Sequence, residues 1–133
     1  MHNRRILSLV VVLLVVLVAA SGCRKTIPVE SYSAAVKVQD VSADKVKNSI
    51  IRAGASLGWV ILPVAENRLE GTLNVRAHQL VVNIDYSNTS YMISYKSSTN
   101  LSYKDGKIHP QYRNWVLNLQ QHIDVELTTV NAQ

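Results

Sequence analysis

The spacing of apolar and polar positions changes several times along this chain, and each change marks an element. From Leu7 to Cys23 there is no alternation: Leu and Val run on almost unbroken, with Arg4 and Arg5 before them and Arg24 and Lys25 after. Between Ser33 and Val38 the residues alternate, with Ala34, Val36 and Val38 on one side, which predicts a strand. Ala43, Val46, Ile50, Ala53 and Leu57 then recur at helical spacing and form one apolar stripe. Ser42 suits the start of that helix, Asp44 suits its positive first turn, and Gly58 suits a left-handed stop. Gly54 lies inside the stripe, where it costs ~1 kcal/mol relative to Ala. Its use there is close approach to a sheet.

A short apolar strand, Trp59 to Leu62, is closed by Pro63, and Glu66-Asn67-Arg68 reads as a turn. Alternation returns from Leu69 to Ala77, again from Leu80 to Tyr86, and last at Tyr91, Ile93 and Tyr95. The stretch Ser97 to Lys107 is polar, with Asp105-Gly106 as its tightest turn signal. Tyr112, Val116, Leu119, Ile123 and Leu127 make a second helical stripe, with Trp115 beside it and Pro110 at the first helical position. His109 stands just before, where its imidazole can accept a bond from a free backbone N–H. The expected architecture is α+β, in the order β-α-β-β-β-β-α. A single antiparallel sheet carries two helices on one face. Polar residues on the other face leave it wet or turned to a partner.

The unbroken stretch sets the address. A basic start, an apolar core and small residues at the end make a secretory signal. Its apolar part is short of the ~20 residues that span a bilayer, which disfavours the rival reading as a transmembrane anchor. Ala20-Ser21-Gly22-Cys23 resembles the lipobox of bacterial lipoproteins, with Ala20 where Leu is commonest. The resemblance implies diacylglycerol on the Cys23 thiol, cleavage before Cys23, and acylation of the new amino group. Cys23 is the only cysteine, so no internal disulfide can form. The inner-membrane retention signal resembles Asp after the cysteine, and this chain has Arg24. The expected location is the outer membrane, facing the periplasm. The chain then divides into a signal peptide (1–22), a lipidated tether (23–31), one α+β domain (32–128) and a frayed tail (129–133).

Charge and motifs exclude more than they assign. The net charge of +5 falls when Arg4 and Arg5 leave with the signal, and the remaining charges are interspersed. No basic block suggests a nucleic-acid groove. His78, His109 and His122 share no metal-ligand spacing, so no metal and no other cofactor is expected. No serine sits in a nucleophile elbow, and no glycine-rich phosphate loop is present. An enzyme would need His109 or His78 beside a carboxylate in a cleft. The densest unusual patch comprises Tyr91, Tyr95, Asn100, Tyr103, His109, Tyr112 and Trp115. Its aromatics either replace the absent Phe in the core or form a rim for a ligand or partner.

At this patch the chain resembles a group of small uncharacterised bacterial lipoproteins. The likeness lies in Tyr91-x-Ile93-x-Tyr95-x-Ser97, Asn100-Leu101-x-Tyr103, Ile108-His109-x-x-Tyr112 and Trp115-Val116-x-x-Leu119, with Gly58-Trp59 and His78. It departs at Arg113, where the group is expected to have Asn. The resemblance implies an envelope address and a small α+β domain, and no activity. The reading is a lipid-anchored binding or assembly module, held to the membrane through Cys23 and meeting an envelope protein. The alternative is a small-ligand binder with a pocket between the helices and the sheet. Metabolic labelling with palmitate should mark the wild-type protein and spare Cys23→Ser. Equal labelling of the two would refute lipidation at Cys23.

Overall fold

The computed structural model describes residues 25–130; the expected signal peptide, Cys23 and residues 131–133 lie outside the described residues. The chain begins with β1 (Ile27–Pro28) and β2 (Tyr32–Ala35) and enters α1 (Ala43–Ser56). The Ser42 hydroxyl accepts the Lys45 N–H at 3.2 Å, so the capping residue read from sequence does cap this helix. A meander follows: β3 (Trp59–Ala65), β4 (Arg68–Val75), β5 (His78–Tyr86) and β6 (Ser90–Thr99). Then come β7 (Lys107–Ile108) and α2 (Gln111–Val130).

The fold is α+β with two helices, but it holds two sheets where one was expected. Five strands pair in the order β2-β6-β5-β4-β3, and β1 pairs separately with β7. All pairs are antiparallel. The observed order is therefore β-β-α-β-β-β-β-β-α. The small sheet was missed because two residues carry no periodicity. Ile27 opposite Ile108 is what joins them. Part of the expected tether is thus paired structure.

Other boundaries moved for local reasons. β2 ends at Ala35, short of Val38, because its partner strand runs out: Ala35 lies opposite Ser90, the first residue of β6. β3 runs past Pro63 to Ala65 with a register shift there. β3 is an edge strand, where proline is tolerated because one side of the backbone faces no neighbour. α2 continues to Val130, two residues into the stretch expected to fray. Thr128 and Thr129 donate hydroxyls to the carbonyls of Val125 and Glu126 at 2.7 and 2.8 Å, and Leu127 is buried.

One face of the large sheet builds the core. Trp59, Ile61, Leu69, Leu73, Leu80, Val82, Ile84, Tyr91 and Ile93 pack with Val46, Ile50 and Ala53 of α1 and with Val116, Leu119 and Ile123 of α2. Gly54 sets how closely α1 approaches. A Cβ there would lie 2.2 Å from Ile61 Cδ1 and 2.8 Å from Ile61 Cγ1. Gly71 gives the room on which Trp59 lies; a Cβ at that position would be 3.3 Å from Trp59 Cε3. Gly54→Ala should therefore destabilise the domain. Overpacking costs ~1–3 kcal/mol, against the ~1 kcal/mol that alanine gains in a helix. Urea unfolding of wild type, Gly54→Ala and Gly54→Ala/Ile61→Val measures this. The double variant should recover part of the loss, and a stabilised Gly54→Ala would contradict the close approach.

Candidate functional site

The aromatic patch divides when folded. Tyr91 and Tyr112 are core residues with tethered hydroxyls. Tyr91 donates to Asp124 Oδ1 at 2.7 Å and to the Gln120 carbonyl at 3.2 Å, which fixes β6 to α2. Tyr112 donates to the Glu30 carbonyl at 2.8 Å, which fixes α2 to the chain between β1 and β2. Burial raises both phenol pKa values, and at Tyr91 the adjoining Asp124 carboxylate adds to the effect. Tyr95 stacks on the exposed Tyr103 with centroids 4.6 Å apart, meets Tyr112 edge-on, and shares a 2.9 Å hydrogen bond with Ser98. Tyr91 and Tyr112 fill space between the helices and the sheet, while Tyr103 stays exposed on the loop after β6.

The other three members, Asn100, His109 and Trp115, gather at one end of the domain. The loop after β6 is pinned by buried Leu101 and Ile108, and the His109 N–H donates to the Leu101 carbonyl at 2.8 Å. Between these pins, Asp105 and Gly106 take left-handed φ values of 51° and 72°. Lys104 and Lys107 exchange both backbone bonds across them. That is the two-residue hairpin that Asp-Gly favours.

Beside this loop is a cleft of about 280 Å³, lined by Val75, Arg76, His78, Leu101, His109 and Trp115, with Gln111 at the start of α2. His78 Nδ1 lies 2.7 Å from the Asn100 carbonyl. A carbonyl only accepts, so Nδ1 carries the proton and Nε2 is left free. His109 is the reverse. Its Nδ1 accepts the Gln111 N–H at 3.1 Å, so in the neutral ring the proton is on Nε2, free to donate. The helix-capping role expected for His109 is thus present. Trp115 is half-buried, with one part of its ring on the core and its centroid 6.5 Å from that of His78. Of the two readings open for the patch, core or rim, Trp115 takes part in both.

Arg76 was not singled out from sequence, and the reason is local. The alternation from Leu69 to Ala77 reads as strand to its end, but Arg76 and Ala77 form the turn between β4 and β5. Arg76 takes φ 54°, a region that Gly or Asn usually supplies. No glycine signal marked the turn. A larger groove of about 660 Å³ lies between the helices, lined by Lys45, Asn48, Arg52, Glu126, Thr129 and Val130. Its guanidinium and carboxylate already neutralise each other, Arg52 Nε to Glu126 Oε2 at 3.1 Å.

No carboxylate lines the end cleft, so neither imidazole has an acid to orient it there. Among the described residues no group of three His, Cys, Asp or Glu could hold a metal ion, and no helix is long and apolar enough to cross a membrane. No protein-family model matches the chain, and no curated protein matches it. The resemblance to small bacterial lipoproteins rests on the sequence motifs alone.

The two tethered phenols make a pH prediction. In the unfolded chain they ionise near 10.0, whereas the folded chain holds them neutral to higher pH. Their contribution is complete below that pH and is lost as pH rises past it, because the unfolded state then releases protons the folded state keeps. Thermal unfolding followed from neutral to strongly alkaline pH should show a steep alkaline fall. Tyr91→Phe should be less stable at neutral pH, with a shallower alkaline slope. An unchanged slope in Tyr91→Phe would refute the assignment.

Proposed function

We propose that this chain is a lipid-anchored protein of the bacterial cell envelope that works as a binding or assembly module in the periplasm, with no catalytic step. Its membrane attachment is the lipid on Cys23, and Arg24 after that cysteine favours the outer membrane. The observation that carries the binding role is the end cleft. Trp115 of α2, His78 of β5, Arg76 of the β4–β5 turn and His109 meet there, beside a loop fixed by buried Leu101 and Ile108. Rigid positioning of exposed aromatic and hydrogen-bonding groups is what recognition needs. A pinned loop also loses little further freedom when a partner binds. The absence of a carboxylate from the cleft lining supports binding over acid–base chemistry.

The alternative, a small-ligand binder, places its pocket between the helices and the sheet. Tyr91, Tyr112, Ile93 and Leu119 fill that space with almost no exposed surface, which favours the module. A photo-crosslinking residue placed at Gln111 in the native lipoprotein should give a discrete adduct in cells, with protein or with lipid. The same residue at Leu62, on the open sheet face, should not. Adducts from Leu62 alone would move recognition to the sheet, and adducts from neither position would refute a binding module.

A further inference from the structure

The cleft and the point where the chain enters the domain lie at the same end. β1 is held by β7 through the pairs Ile27–Ile108 and Pro28–Lys107, and the Val29 N–H donates to the Gly106 carbonyl at 2.9 Å. His109 of the cleft follows Ile108 directly. Cys23 precedes Ile27 by four residues. A fully extended chain spans ~3.3–3.6 Å per residue, so the free tether reaches ~14 Å at most. A lipid on Cys23 therefore leaves the domain little choice of which end meets the bilayer.

That end is basic, and its cations are unengaged. Lys25, Arg76, Lys104 and Lys107 are exposed and form no ion pair among the described residues, with Asp105 and Glu30 as the acids near them. Away from this end, Lys47, Arg52, Arg68 and Lys96 are paired with Asp44, Glu126, Asp85 and Glu70, while Lys37 and Lys45 form no ion pair among the described residues. Basic side chains near an anionic leaflet are attracted to it within a Debye length, about 10 Å in 0.1 M salt. The half-buried Trp115 and exposed Tyr103 suit the headgroup layer, where amphipathic rings concentrate.

We propose that the end of the domain carrying β1, β7 and the cleft rests on an anionic lipid surface, with lipid phosphates against Arg76, Lys107 and His109. Arg76 brings guanidinium N–H donors and His109 a free Nε2–H, both matched to phosphate oxygens. The proposal rests on the lipid anchor of the proposed function.

The test uses lipoprotein extracted from membranes and reconstituted into vesicles of phosphatidylcholine, with or without phosphatidylglycerol. Flotation in high salt reports the anchor, and hydrogen exchange over residues 100–111 reports the contact. Exchange there should be slower on the anionic vesicles than on the neutral ones, and the difference should vanish in high salt. Arg76→Gln/Lys107→Gln should lose roughly thirtyfold of that protection, the loss expected for two cations at an anionic surface. Lys37→Gln/Lys45→Gln, at the opposite end, should keep it. Protein that floats yet exchanges equally on both vesicles overturns the docking and leaves the anchor standing. Equal protection by inorganic phosphate in detergent also overturns it, because the ligand is then a free anion. Protein that does not float overturns the anchor and the docking together.

Discussion

The contact between Gly54 of α1 and Ile61 of β3 sets the spacing of the helical layer on the sheet. β2 and β3 are opposite edges of that sheet, so the connection through α1 passes from one edge to the other. It descends onto β3 closely because Gly54 leaves no side chain between helix and strand. Trp59 uses the same device one layer down, lying on Gly71 of the neighbouring strand. With α1 seated there, α2 packs alongside it and reaches β2. Packing this close tolerates little added volume, because protein interiors are already dense.

The second helix is tied in by polar bonds at its sides. Tyr91 reaches Asp124, Tyr112 reaches the Glu30 carbonyl, and Gln120 reaches the Ser33 carbonyl at 3.3 Å. Two of these bonds hold the N-terminal segment, and β1 adds its pairing with β7. The start of the domain is therefore gripped by α2, β6 and β7 together. Such a grip passes the direction of a short tether on to the whole domain. It also joins the basic end firmly to β1, through which the proposed anchor would act.

The other face of the sheet is uncovered and handled differently. Val60 and Leu62 are 57% and 59% exposed on β3, and Met92 is exposed on the same side. Across its middle run the Lys96–Glu70 pair and a two-pronged Arg68–Asp85 pair at 2.6 and 3.1 Å. Charges on a sheet face and a proline with a register shift on the edge both discourage pairing with another chain. Exposed apolar side chains at this density are ordinary for a protein surface.

Much of the layout follows from the order of residues alone. Helical stripes, the Ser42 cap, the meander, the Asp105-Gly106 turn and the reason for Gly54 are local or periodic, so spacing and residue type are enough to find them. The β1–β7 pair was not legible, because Ile27 and Ile108 are far apart in sequence and each lies in a segment too short to show a period. Nor was the division of the tyrosines: Tyr91 and Tyr95 share one strand pattern, yet only contact with α2 makes the first a core tether. The cleft was legible in its parts and not as a whole. His109 and Trp115 stood out by motif, but Arg76 enters only because an unmarked turn takes a left-handed residue and swings it beside them. Local chemistry specifies elements. Which elements share an end of the domain is decided by long-range pairing and packing, which no single stretch of sequence contains.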